Sequence, residues 1–333
     1  MKKIFSIVSL ALWCIAAWAD GFEKDGLYYV IENEMQVTVT SFTSPSGEVT
    51  VPEFVTNNEK TYMVTKITGP GWSDVTKLNL PKSLTEIDEQ CFYGAEKLEY
   101  INWSDLISLQ TIGARAFTYS GIKDVILTFN VQTIGENAFS GCEALTNVTF
   151  QTVALKELSD NIFAGCTKLT SIDLFASYIQ KIGEGTFFGC SALKTVKLPV
   201  LNLKEIGKTA FAGCTSMTDF TIPQNVTTLG DRFLAWNTKL KTLTTQASTP
   251  RTATSDTFDG IDKGKVTLVV PKGTVHLYKN ANGWKEFEHI TDGTQAIENV
   301  SNETFATIKY ISNGQVFILC GDKTYTLQGQ EAK

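Results

Sequence analysis

Between Tyr62 and Thr245 the apolar positions of this chain recur with a period much longer than that of any single helix or strand. One phenylalanine per unit sets the register: Phe92, Phe117, Phe139, Phe163, Phe187 and Phe211, with Leu234 in that place in the last unit, at intervals of 25, 22, 24, 24, 24 and 23 residues. Five residues before each anchor stands an aliphatic (Ile87, Ile112, Ile134, Leu158, Ile182, Ile206, Leu229), and three residues earlier another (Leu84, Leu109, Val131, Leu155, Ile179, Leu203, Val226). After the anchor, segments such as Leu145-Thr146-Asn147-Val148-Thr149-Phe150 end in alternating polar and apolar positions. That period of two marks a half-buried strand, so Val148 and Phe150 are expected inward and Asn147 and Thr149 outward.

A unit of this length cannot bury its own apolar face, but stacked units bury it against one another. Each has six or seven inward apolar side chains, and each of those contributes roughly 1.5–3 kcal/mol on full burial. A contracted unit at Val64, Ile67, Trp72, Val75, Leu78 and Leu80 comes first. The expectation is a solenoid of about eight coils, with a parallel β-sheet on one face, short helical or turn segments on the other, and a cap at each end. Gly135, Gly183 and Gly207 recur where a tight backbone or a positive φ favours glycine, and Gly141, Gly165, Gly189 and Gly213 are placed to supply the next bend.

The segments Ile134-Gly135-Glu136-Asn137-Ala138-Phe139-Ser140-Gly141-Cys142 and Leu203 to Cys214 resemble the BspA-like, or treponemal-type, leucine-rich repeats. The resemblance spans consecutive units, and the cysteine standing before the strand instead of after it marks the subtype. The flanks are similar to that family as well: Asp25-Gly26-Leu27-Tyr28-Tyr29-Val30 with Val49-Thr50-Val51-Pro52 to its lead-in, and Val266 to Gly273 with Gly283-Trp284-Lys285-Glu286-Phe287 to its closing segment. The resemblance implies a leucine-rich-repeat solenoid and a bacterial surface protein, often from Bacteroidetes, some of whose relatives act as adhesins. It carries over no catalytic or metal-binding residue. The expected organisation is a signal peptide over 1–19, a lead-in or cap over 20–61, repeats over 62–245, a closing segment over 246–293, and a linker with a short β-rich tail over 294–333. The tail resembles the start of the C-terminal sorting segment of many Bacteroidetes secreted proteins, but stops short of its usual final strands.

Composition and charge refine this picture. Met1-Lys2-Lys3, the apolar run Ile4 to Trp13, and Ala17-Trp18-Ala19 before Asp20 form a basic start, a short apolar core and a small-x-small cleavage site. The run is too short for the roughly 20 residues of a bilayer span, so the mature chain is expected to have none and to be secreted or on the cell surface, with the periplasm as a further location. Bulky Trp13 before Cys14 argues against a lipid anchor. Without the leader's two lysines, 27 basic residues face 35 acidic ones. That balance is no footprint for nucleic acid. Two histidines, His276 and His289, stand apart from any nucleophile motif, and no phosphate loop, zinc motif or dinucleotide fingerprint is present. The reading is non-enzymatic, with no cofactor and no metal.

Cys142, Cys166, Cys190 and Cys214 stand three residues after their anchors. Stacked about 4.8 Å apart they fall inside the window for a disulfide ladder, yet their shared register is equally explained by small buried plugs, the reading preferred here. Binding is expected on the outward strand positions. Tyr100, Asn102, Asp124, Ile126, Asn147, Thr149, Ser171, Asp173, Thr195 and Lys197 would form much of one continuous sheet face. Tyr100, Asp124 and Ile126 suit the centre of an interface better than a solvated surface. The partner that the family resemblance implies is a protein of the host or of the bacterial surface. The alternatives are a carbohydrate, with Tyr100 and the inward-placed Trp103 as a sugar platform, and a structural spacer that binds nothing.

Overall fold

The computed structural model describes residues 21–40 and 45–293, and the backbone of 308–312, 315–320 and 323–326. The expected leader lies outside these residues, as do most of the expected linker and the end of the tail. Residues 1–292 form one compact unit and 293–333 a second. The second contains an antiparallel three-stranded sheet of Ile308–Ser312, Gln315–Cys320 and Lys323–Thr326.

The first unit is a parallel β-solenoid of about ten turns. The inward columns read from the pattern form its core: Ile87, Ile112, Leu158, Ile182 and Ile206 are fully buried, as are Leu84, Val131, Ile179, Leu203 and Val226. The anchors Phe117, Phe139, Phe163, Phe187 and Phe211 form a continuous stack of near-parallel rings 5.1–5.6 Å apart. Such offset stacks add to what the rings gain from burial alone.

The coil count exceeds the expected eight because both flanks carry on the stack. Gln36–Thr40 and Gly47–Thr50 pair in parallel with the coil that follows. Thr267–Val269 and His289–Thr291 extend the last front sheet. The closing segment also supplies the one α-helix among the described residues, Val275–Asn280, and buries Trp284 and Phe287 against Phe258.

Of the helical or turn segments expected on the other face, turns are what follow the Ile-Gly elements. Thr133–Ile134, Lys181–Ile182 and Glu205–Ile206 are two-residue strands, and turns follow them. They build a second parallel ladder along the side of the solenoid, in one run through Ile67, Ile87, Ile112 and Ile134 and another through Leu158, Ile182, Ile206 and Leu229. The glycine after the aliphatic is there for close approach and not for positive φ. A Cβ on Gly207 would sit 2.6 Å from the Gly183 carbonyl carbon of the preceding coil. Ser159 is the position in this column, between Gly113 and Gly230, that carries a side chain. Its hydroxyl donates to the Ile134 carbonyl oxygen at 2.7 Å, and at that coil the side ladder is interrupted.

The front sheet is interrupted at the same level. Asn147–Phe150 pairs backward with Asp124–Leu127, and Ser171–Asp173 pairs forward with Thr195–Lys197, with no ladder between the two pairs. The turn side holds the halves together there, through Asn137 N–H to Asp160 O (3.0 Å), Phe139 N–H to Ile162 O (2.9 Å) and Gly141 N–H to Ala164 O (2.7 Å).

Candidate functional site

The turn side is the most regular surface. Two residues after each anchor the chain takes a positive φ, at Gly141, Gly165, Gly189 and Gly213 but also at Tyr119 (φ 59°) and Trp236 (φ 61°). Two residues before the anchor a second left-handed column runs through Arg115, Asn137, Asn161, Gly185, Thr209 and Arg232. Non-glycine residues occupy this region at a cost of about 1–2 kcal/mol each, here offset by the hydrogen bond each backbone N–H gives to the next coil.

The cysteine column lies directly beneath. Each thiol points toward the carbonyl oxygen of the preceding anchor: Cys142 to Phe117 at 3.0 Å, Cys166 to Phe139 at 3.3 Å, Cys190 to Phe163 at 3.1 Å and Cys214 to Phe187 at 3.3 Å. All four are free and buried. Parallel register aims every sulfur along the stack axis at a carbonyl, so none is aimed at its neighbour, and the column packs and donates without cross-linking. Burial pushes the Cys142 thiol up to about 11 and the Cys190 thiol to about 12. These groups therefore stay protonated and are poor nucleophiles. Among the described residues no group of three His, Cys, Asp or Glu side chains converges to hold a metal ion, and no helix is long and apolar enough to cross a membrane.

The expected front-face residues do line up in columns, with Asp124 beside Asn147, Ile126 beside Thr149, Ser171 beside Thr195 and Asp173 beside Lys197. They do not form the continuous sheet expected, because the front strands divide into four separate ladders. Much of the charge on this face is paired between coils. Lys77 meets Glu48 at 2.8 Å, Lys123 meets Glu99 at 2.6 Å, and Lys197 meets Asp173 at 2.8 Å. The hydrogen bond from Lys197 lowers the Asp173 pKa, against a smaller opposing effect of burial.

Tyr100 is exposed with the Lys77 ammonium 5.3 Å above its ring, whereas Ile126 is half-buried against the core. Asn102 is turned back onto Leu80, accepting from its N–H at 2.8 Å and donating to its carbonyl oxygen at 2.9 Å. Trp103 is buried between Phe117 and Phe139 and cannot serve as a sugar platform.

The structure draws five of the ten expected residues into one place. Where the front ladder is interrupted, a cleft of about 470 Å³ opens, lined by Asn147, Thr149, Ser171, Asp173 and Lys197 together with Phe150 and Phe175. Tyr100, Asn102, Asp124, Ile126 and Thr195 lie outside its lining. Phe175 was not singled out from the sequence. It lies just past the strand, outside the columns that the alternation defines. Sequence reasoning also passed over two exposed aromatic pairs on the turn side, Tyr93 with Tyr119 at 5.9 Å and Phe188 with Trp236 at 6.2 Å. Tyr119 and Trp236 stand where most coils have glycine, a substitution visible in the aligned repeats.

The sequence pattern of the BspA type leucine rich repeat region matches residues 71–177 and 156–281, in six copies. The chain belongs to the BspA-type leucine-rich repeat family. No curated protein matches it. Solved structures similar to this BspA-type chain include the T. pallidum leucine rich repeat protein, at 21% identity and TM-score 0.50, covering 60% of this chain and 91% of that one. A leucine-rich repeat protein from Bacteroides ovatus matches at 21% identity and TM-score 0.47, over 82% of this chain and 79% of the other. A leucine rich cell surface protein from Faecalibacterium prausnitzii matches at 16% identity and TM-score 0.29, over 86% and 99%. At these identities the likeness is one of fold.

Proposed function

We propose that this BspA-type chain is an exported, non-enzymatic interaction or adhesion module that binds a protein partner through its front face, centred on the cleft at Asn147, Ser171 and Asp173. The observation that carries the reading is that cleft. It is a concavity on the front face lined by hydrogen-bonding side chains, by the Asp173–Lys197 ion pair and by two aromatic residues, Phe150 and Phe175. Concave sites with a few convergent polar groups and apolar walls are where recognition concentrates, and solenoids commonly bind along their repeated faces. In this reading residues 1–19 are the leader, 20–61 and 246–293 close the ends of the repeats over 62–245, and 294–333 are a linker and tail, with the chain secreted or on the cell surface.

Capture of host-matrix and bacterial surface proteins on the immobilised chain tests it. Wild type is expected to retain a partner that Asn147→Arg with Ser171→Arg loses at least tenfold, while Thr242→Arg, at the far end of the face, leaves binding unchanged. Retention by both variants, or no partner at all, rejects the reading, and the second outcome favours a spacer. A carbohydrate reading is supported by the exposed Tyr93–Tyr119 and Phe188–Trp236 pairs. A glycan array with Tyr119→Ala and Trp236→Ala distinguishes it, since those rings lie away from the cleft.

A further inference from the structure

Along the edge where the chain leaves the front strands, the position two residues before each first inward aliphatic is apolar in coil after coil. It is Ile107, Phe129, Val153 and Leu201, exposed by 56%, 65%, 54% and 74%. In the coil between Val153 and Leu201 the column holds Ser177, whose hydroxyl is turned inward onto Leu174 O at 2.8 Å. There Phe175 and Tyr178, 58% and 50% exposed, supply the apolar surface on either side. Five consecutive coils thus present an uninterrupted apolar edge, roughly 19 Å long at strand spacing. It stops at Lys82 on one side and Gln224 on the other.

Three observations say what covers this edge. The first is area: six large apolar side chains at least half exposed offer roughly 600–900 Å², beyond the patch an isolated monomer usually shows and close to one partner's share of a stable interface.

The second is that covering the edge strands few polar groups. The carbonyl oxygens of Ile107, Phe129, Val153 and Leu201 already accept from Asn130 (2.6 Å), Thr152 (3.5 Å), Lys156 (3.3 Å) and Asn225 (3.0 Å). No position of the row is charged. The neighbouring Lys156 ammonium is held 5.0 Å over the Tyr178 ring, where the π face stabilises it.

The third is order. The row runs aliphatic, aromatic, aliphatic, aromatic, aliphatic, so it reads the same from either end. A two-fold axis at Val153 would set Ile107 against Leu201 and Phe129 against Phe175 and Tyr178, aliphatic on aliphatic and ring on ring.

We propose that this edge is a homodimer interface, in which a second copy packs antiparallel about a two-fold axis through Val153. Self-complementarity of one patch is what a closed two-fold contact requires. The surface overlaps the lining of the front cleft at Phe175 and Ser177 and is otherwise separate from it, so each copy keeps most of its front face free for a partner.

Sedimentation equilibrium on the purified full chain from 1 to 100 µM, a range of about 100-fold set by typical transient interfaces, tests the proposal. Wild type is expected at twice the monomer mass at the upper end. Phe129→Asp with Leu201→Asp, both solvent-facing, is expected to be monomeric throughout with an unchanged melting temperature. In a Cys14→Ser, Cys320→Ser background, Val153→Cys is expected to form an intermolecular disulfide under mild oxidation. Ile107→Cys alone is expected not to, whereas Ile107→Cys mixed with Leu201→Cys does. A monomeric wild type overturns the proposal, whether the edge then proves to bind phosphatidylcholine vesicles or the chain's own tail. So does a dimer untouched by the aspartates, or an Ile107→Cys variant that cross-links with itself as readily as Val153→Cys.

Discussion

In the coils around Phe139, Phe163, Phe187 and Phe211 the anchor ring stacks on its neighbours. Two places on stands a glycine with positive φ, and next a cysteine whose thiol points to the preceding coil's carbonyl. The coil at Leu234 keeps every one of these backbone roles with other side chains. Leu234 fills the anchor site, Trp236 takes the positive φ at 61°, and Asn237 Nδ2 donates to Phe211 O at 3.0 Å where a thiol would stand. The backbone ladder on the turn side runs unbroken through both, from Gly141 N–H to Ala164 O and from Gly213 N–H to Ala235 O. The comparison separates what the stack demands, a donor and a left-handed residue at fixed places, from what merely suits it. It also has a cost: Asn237 Oδ1 is buried without a partner, whereas a thiol in that position leaves no acceptor unpaired.

Alkaline pH should separate the two kinds of coil most strongly. The four central thiols have pKa values raised by burial, to about 11 for Cys142 and about 12 for Cys190, above the ordinary value of 9.0. Their contribution is fully present below pH 9, where folded and unfolded thiols are both protonated. It is lost as pH rises from 9 toward 11 or 12, because only the unfolded chain releases the protons. At pH 10 each of Cys142 and Cys190 is expected to lower stability by about 1 kcal/mol, with Cys166 and Cys214 acting in the same direction. Urea unfolding midpoints followed from pH 8 to 10 measure this, and a chain with alanine at all four positions should lose most of the slope. Asn237 contributes nothing to it.

Next in size, Phe163→Ala removes a ring held between two near-parallel neighbours 5.6 Å away on each side. It should cost about 3–5 kcal/mol in chemical denaturation. Leu234→Ala should cost nearer 2 kcal/mol, the low end of the leucine range. Equal losses at the two sites would show that the stack gains nothing from ring on ring. The smallest expected effect is a gain. Asn237→Cys removes the unpaired buried oxygen and should stabilise the chain by about 1 kcal/mol, read as a rise in melting temperature. A fall would mean that the Asn237 amide bond outweighs its orphaned oxygen.

Much of the candidate site was legible in outline. The outward positions Asn147, Thr149, Ser171, Asp173 and Lys197 follow from strand alternation alone, and all five line the cleft. What alternation does not carry is why the cleft lies there. It opens at the coil of Ser159, whose side chain stands where neighbouring coils have a glycine too close for a Cβ, and which lies 10 residues from Thr149, the nearest of them in sequence. Phe175 and the apolar edge were likewise missed, because they lie between the strand and the next inward column, where the repeat of about 24 marks apolar positions but no alternation of two says whether they face in or out.

By itself the sequence determined the coil. Its repeat length, its buried columns from Ile87 to Leu229, its ring anchors and its cysteine register all follow from apolar spacing, because burial acts on each side chain according to which way it points. Only the tertiary structure decided how one coil meets the next. It set which two-residue segments pair, where the ladders are interrupted, that the thiols donate to carbonyls and do not join, and that the flanking strands carry the stack outward at both ends. Those contacts depend on the separation between backbones some 24 residues apart in sequence, which apolar spacing within one coil does not encode.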